Sequence, residues 1–160
     1  MKMIFNEYYQ SPVGLLEIRA DEEAVTGVRL AEEEEFYRAN DITHEAVKQL
    51  KEYFAGDRKE FDVPIKITGT DFQKRVYHAL LQVPYGSTVS YKDLTIMAGN
   101  RRGYRATGQA MHVNKIMIIV PCHRVINNDG GIGGYGQHIE VKKYLLRMEG
   151  GWLMDYNSQV

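Results

Sequence analysis

The chain holds a single cysteine, Cys122, set between Pro121 and the pair His123-Arg124. A thiol attacks carbon well only as a thiolate, and a neighbouring imidazole or cation promotes that ionisation. Cysteine beside histidine is therefore the smallest arrangement that makes an activated sulfur nucleophile. A lone cysteine read without context is more often a small buried apolar residue. The run Ile116-Met117-Ile118-Ile119-Val120 before it predicts a buried strand or near-strand. Pro121 cannot donate to a ladder, so the strand should end there. That places Cys122 at the mouth of a buried element.

Several elements must position this group. Met3–Tyr9, Val13–Ala20 and Ala24–Leu30 read as three short strands of an antiparallel meander, with Pro12 and Gly14 at the first turn and Gly27 as a candidate bulge. Glu32–Glu35 is an acidic run suited to a solvated loop. Thr43–Phe54 carries a helical apolar face of Ala46, Val47, Leu50 and Phe54. Pro64, Gly69 and Thr70 cluster at the expected boundary, giving an N-terminal α/β subdomain over 1–66 and a C-terminal domain over 67–160.

The second part opens on a capping box, Thr70 with Gln73, and a helix whose apolar face is Phe72, Val76, Ala79, Leu80 and Val83. Ser90 suits the cap of a second helix that closes at Gly99-Asn100. After a turn at Arg101-Arg102-Gly103, Tyr104–Val113 forms a third. Short helix, glycine-containing turn and basic helix together have the outline of a helix-turn-helix. Within the third helix, Ala106, Gly108 and Ala110 alternate with longer side chains. Small residues there permit close backbone approach, either by another helix or by an outside partner. Asp129-Gly130 marks a short hairpin, and Gly133–Gln137 a glycine-rich loop that lacks dinucleotide or P-loop spacing. Val141, Tyr144, Leu145 and Met148 form the stripe of a last helix, with Glu149 at its end and Gly150-Gly151 after it. The fold class is α+β: a small antiparallel sheet with a helix, then a mostly helical domain.

Charge is unevenly spread. Residues 1–70 hold 9 Lys/Arg against 15 Asp/Glu, whereas residues 71–125 hold 8 against 2. The basic middle has the character of a nucleic-acid footprint, and equally of a solvated face. One cysteine excludes an internal disulfide and a cysteine-cluster zinc site. There is no apolar run of membrane-spanning length and no signal-peptide pattern at Met1–Glu7. A thiol kept for reaction fits a reducing compartment, the cytoplasm or, in a eukaryote, the nucleus.

Pro121-Cys122-His123-Arg124-Val125, with Asn114 eight residues ahead of the cysteine, resembles the active-site motif of the O(6)-alkylguanine-DNA alkyltransferases, and Arg105–Met111 resembles their recognition helix. The likeness runs from about Asp71 to Gly150. It implies direct reversal of DNA damage: an alkyl group passes from O(6)-alkylguanine, with O(4)-alkylthymine as a second lesion, to Cys122, once per protein molecule and without cofactor or metal. It implies His123 as base acting through a water, Glu149 as the group that holds His123, Asn114 as a tie between the recognition helix and the cysteine segment, and Tyr91 as proton donor to the guanine. Arg105 would fill the gap left by the extruded base. Ala106, Gly108, Ala110, Tyr91 and Arg124 would meet DNA, and Val125, Tyr135, Gly136 and Met111 would line the pocket. The partner implied is duplex DNA bearing alkylated guanine, bound by a monomer with no membrane involved. Two positions depart from the family pattern: Lys115 stands where many relatives have proline after the asparagine, and Gly136 where some have serine. Two other readings of the same residues are a lesion-binding module without transfer and a Cys-His hydrolase or acyltransferase.

Overall fold

Two compact units divide the chain in this computed structural model, which describes residues 3–100, 103–133 and 138–151. The first unit is Met1–Ile67 with Lys115–Ile119; the second is Thr68–Asn114 with Val120–Val160. Lys115–Ile119 thus belongs with the first unit although it lies far along the chain.

In the first unit, β1 (Phe5–Ser11), β2 (Gly14–Ala20) and β3 (Val25–Leu30) form an antiparallel sheet in chain order. Ser11 pairs with Gly14 across a two-residue connection. Gly14 has φ of +126°, a conformation in which a side chain would be strained. The register slips between Arg19 and Ala20, which pair with Gly27 and Val25, so Thr26 is the extra residue and the bulge lies one position before Gly27. Leu16, Ile18 and Ala20 alternate into the core, where α1 (Asp41–Phe54) packs with Ala46, Val47, Leu50 and Tyr53 buried. Asn40 and Thr43 cap α1 reciprocally, which moves its start two residues ahead of the expected one. The opposite face of β2 buries Glu17, which accepts hydrogen bonds from Asn6, Arg19 and Arg29. These bonds hold its carboxyl below the usual range although burial pushes the other way.

The apolar run before the cysteine is not a strand. Ile116 makes one parallel bridge to Val28, and the chain then turns. The N–H of Ile119 bonds the carbonyl of Met117 across Ile118, whose φ is +71°. A β-branched residue in that region is strained. A second three-residue turn follows in the second unit: the N–H of Cys122 bonds the carbonyl of Val120 across Pro121, at φ −83° and ψ 64°.

The second unit holds α2 (Asp71–Leu81), β4 (Val89–Ser90), α3 (Tyr91–Met97), α4 (Tyr104–His112), a 3-10 turn at Cys122–Arg124, β5 (Val125–Ile126) and α5 (Ile139–Glu149). Thr70 and Gln73 cap α2 reciprocally, and the Ser90 hydroxyl accepts from the Asp93 N–H at the start of α3. Helices α2, α3 and α4 pack on one another around Val76, Leu80, Leu94 and Ala110. Thr95 and Thr107, both fully buried, share a hydroxyl hydrogen bond of 2.7 Å between α3 and α4. The turn at Asn127–Gly130 forms, but β5 ahead of it pairs in parallel with β4. In α5 the buried face is Lys142, Leu145, Leu146 and Glu149, while Tyr144 is 40% exposed, so the helix is rotated from the expected stripe. Among the described residues, no helix is long and apolar enough to cross a membrane.

Candidate active site

Parallel pairing of Val89 with Val125 and Ser90 with Ile126 brings the start of α3 beside the residues that follow the cysteine. Tyr91 is the next residue after that pair and the first of α3. A Cβ built on Gly133 would stand 3.2 Å from the Tyr91 ring and 3.4 Å from its hydroxyl, so the backbone of the 131–133 loop lies against the phenol. Asn114, just past α4, donates from Nδ2 to the Val120 carbonyl at 3.0 Å. The end of α4 is thereby tied to the residue two before Cys122.

The 3-10 turn places Cys122, His123 and Arg124 in the interior, at 5%, 0% and 7% exposure. Glu149, the last residue of α5, is the hub. His123 Nε2 lies 2.8 Å from its Oε2. Arg124 reaches both oxygens, Nε to Oε1 at 2.8 Å and Nη2 to Oε2 at 3.0 Å. The remaining Arg124 nitrogen, Nη1, donates to the Val83 carbonyl at 2.8 Å, and the Tyr85 ring centre lies 5.9 Å from the guanidinium. A carboxylate at the negative end of a helix is unfavourable unless something compensates it, and this guanidinium does so. Burial alone would raise the Glu149 carboxyl, but the bonds from His123 and Arg124 hold it at about 2. Glu149 is therefore ionised at neutral pH.

His123 moves the other way: full burial outweighs Glu149 and keeps the imidazole below its usual value, hence neutral at pH 7. An ionised carboxylate only accepts, so the His123 proton must sit on Nε2. Nδ1 then carries a lone pair, and it is buried without a hydrogen-bond partner among the described residues. The arrangement is a base with a free lone pair, oriented by an ionised carboxylate, one residue from a thiol.

Two expected assignments move. Arg124 is buried and committed to Glu149 and Val83, so it is part of the interior and not of a DNA-contacting surface. Ala110 is fully buried and its carbonyl accepts from the Tyr77 hydroxyl at 2.6 Å, so the outer face of α4 does not include it. Arg105 and Ala106 are exposed and Gly108 is half-exposed on that helix, whereas Met111 is buried at 9%. Val125 is fully buried. Tyr135 and Gly136 lie outside the described residues. Sequence reasoning missed the burial of Lys142, since a helical lysine carries no signal of it, and the place of half-buried Tyr85 beside Arg124. Among the described residues no three His, Cys, Asp or Glu side chains gather as a metal site would need.

A buried thiol, a histidine and a carboxylate stand on a unit whose helix α4 also carries small residues on its outer face. Residues 71–151 match the DNA-binding domain of 6-O-methylguanine DNA methyltransferase, and residues 4–67 match its ribonuclease-like domain. A methylated-DNA–protein-cysteine methyltransferase of Methanosarcina acetivorans is 40% identical over 155 residues, covering 89% of this chain and 96% of that protein. The constitutive one of Bacillus subtilis is 38% identical, covering 88% and 92%. Among solved structures, Mycobacterium tuberculosis O6-methylguanine methyltransferase superposes with a TM-score of 0.83 at 39% identity, over 94% of this chain and 95% of that one. The same organism's protein in complex with DNA gives 0.83 at 40% identity, over 91% and 92%. The chain belongs to the 6-O-methylguanine DNA methyltransferase family.

Proposed function

We propose that this protein repairs alkylated duplex DNA by direct reversal, taking the alkyl group from O(6) of guanine onto Cys122. The observation that carries the reading is the buried Glu149–His123 pair, with its lone pair on Nδ1, next to the chain's single thiol. His123 accepts the thiol proton through a water, and the imidazolium that forms is held by Glu149. The sulfur attacks the alkyl carbon; the S–C bond forms as the C–O(6) bond breaks. The electron pair moves into the guanine ring, where a proton from the Tyr91 hydroxyl completes the normal base, and the His123 proton replaces it. The product is a thioether, and each protein acts once.

The target atom lies inside the duplex, so the base must be turned out, at a cost of a few kcal/mol. Helix α4 suits the DNA side of that task. Glycine inside a helix costs about 1 kcal/mol relative to alanine, yet a Cβ on Gly108 would meet nothing within 4 Å. Among the described residues, no packing requires this glycine. Close approach of a groove to α4 accounts for it, with exposed Arg105 filling the vacated stack. Minor-groove contacts distinguish sequences poorly, as a protein that inspects every sequence requires. The protein works as a monomer, in a compartment reducing enough to keep Cys122 a thiol.

Incubation with duplex DNA carrying radiolabelled O(6)-methylguanine tests this. Label should become bound to the protein, and Cys122→Ala should abolish that while DNA binding persists. Labelling that survives the substitution, or tight lesion binding by the wild type without any label, contradicts transfer to Cys122.

A further inference from the structure

Helix α4 has little in its own sequence to hold it in place. It has nine residues, a glycine inside and, among the described residues, no side-chain hydrogen bond at its N-terminal cap. A helix of that length is marginal without tertiary contacts. Two buried hydrogen bonds join it to the neighbouring helices. The Tyr77 hydroxyl, from α2, donates to the Ala110 carbonyl at 2.6 Å. The Thr107 hydroxyl lies 2.7 Å from that of Thr95 on α3, and both residues are 0% exposed.

The threonine contact continues into α3. Thr95 Oγ1 also lies 2.7 Å from the carbonyl oxygen of Tyr91, the first residue of that helix. A hydroxyl has one hydrogen to give, and a carbonyl can only accept. Thr95 therefore donates to Tyr91, and Thr107 donates to Thr95. The two bonds run in one direction, from the helix that bears exposed Arg105 to the residue whose phenol lies against the 131–133 backbone. Packing alone does not call for this pair. Valine has the shape of threonine and would fill both places without burying a polar atom. The hydroxyls add register: a bond of this length in a dry interior weakens steeply when either helix shifts, and a buried polar group left unsatisfied is costly. We propose that Thr107 and Thr95 are positioning residues for the transfer, fixing α4 to the start of α3 so that the helix engaged by DNA sets the place of Tyr91; this rests on the function proposed above. Both residues are buried, so neither meets DNA itself, and their effect passes through the Tyr91 backbone.

Thr107→Val keeps the shape and removes the first donor of the chain. Its rate of methyl transfer at saturating lesion duplex should fall about tenfold, while its Kd for that duplex stays within about twofold of the wild type. Thr95→Val should behave alike, and the double variant should be no slower than Thr95→Val. Thr107→Ser should recover the rate. Tyr91→Phe reveals the route: in that background either valine should change the remaining rate by less than about twofold. A tenfold fall that persists beside Tyr91→Phe, or a loss of DNA affinity in proportion to the rate, overturns the proposal, because the threonines then serve only the packing of α4. A second readout needs no lesion. In the full-length protein without DNA, the Tyr91 ring resonances, assigned by their loss in Tyr91→Phe, should shift in Thr107→Val and return in Thr107→Ser; unchanged resonances overturn the proposal. A thermal melt beside each variant establishes that it is folded, and Thr107→Ala replaces a valine variant that is not. If the resonances move as expected but the wild type transfers no methyl group, the proposed function fails and the link from α4 to Tyr91 stands.

Discussion

Arg124 shows why a residue's charge is a poor guide to its partner. Next to a nucleophile in a basic stretch, it is expected to meet DNA; in the fold it is the counter-ion of Glu149. Removing it would leave a buried carboxylate uncompensated. Arg124→Met should therefore destabilise the protein by about 3–5 kcal/mol in urea unfolding, while the salt dependence of DNA binding by the folded fraction stays as in the wild type. A reduced salt slope with unchanged stability would return Arg124 to the DNA surface. The same cluster sets an acid limit. Glu149 is held at about 2, below an ordinary carboxyl, so its contribution is full above about pH 5 and is lost as pH falls toward 2. His123 is also depressed, so the unfolded chain takes up its proton first as pH drops through about 6.5, which again favours unfolding. Stability followed by denaturant melts should decline from about pH 6.5 downward, and Glu149→Gln should flatten the steeper acid portion. The Cys122-His123 pair stands out in the sequence because a specific motif contains it, and the His123–Glu149 contact was expected only from the family resemblance. The burial of Lys142 was not legible, because a lysine between Val141 and Lys143 reads as a solvated helix position until tertiary packing closes over it.

At the scale of elements, local signals were reliable where a side chain satisfies a backbone group close by. The Thr70–Gln73 box and the Ser90 cap are formed. The stretch Ile116–Val120 misled because apolar content predicts burial and not conformation. Its path is set by two three-residue turns, one at Pro121 and one at Ile118, and an isoleucine carries no signal for positive φ. Helix α4 misled in part: its small residues look alike in sequence, but the 3.6-residue period turns Thr107, Ala110 and Met111 inward and leaves Arg105, Ala106 and Gln109 outside. That division yields a test of the DNA-facing side. Gly108→Leu adds a side chain into open space, so the melting temperature should hold or rise slightly, while affinity for duplex DNA should fall by tenfold or so, about 1.4 kcal/mol. Unchanged affinity in gel-shift titrations would place the DNA elsewhere. At the end of α5, a Cβ on Gly151 would come within 2.5 Å of the Gly86 carbonyl oxygen, so glycine there lets the Glu149 end of the helix close onto the 86–87 backbone.

Across the whole molecule, the charge division seen in the sequence assigns the basic excess of residues 71–125 mostly to the unit that holds the site. Affinity for undamaged duplex DNA should accordingly fall linearly with the logarithm of salt concentration as counterions are released; a flat response would contradict DNA contact by that unit. Pro64, Gly69 and Thr70 cluster in the sequence around the point, Ile67 to Thr68, where the chain passes from the first unit to the second. That Lys115–Ile119 belongs with the first unit was not legible, since only the bridge between Ile116 and Val28 reveals it. The central claim is that one sulfur takes one alkyl group and keeps it. Intact-mass and peptide mass measurement after saturation with O(6)-methylguanine duplex tests it most directly. One methyl group per protein, on the peptide containing Cys122, is the expected result; repeated release of methanol from an unmodified protein, or a methyl group on any other residue, would contradict it.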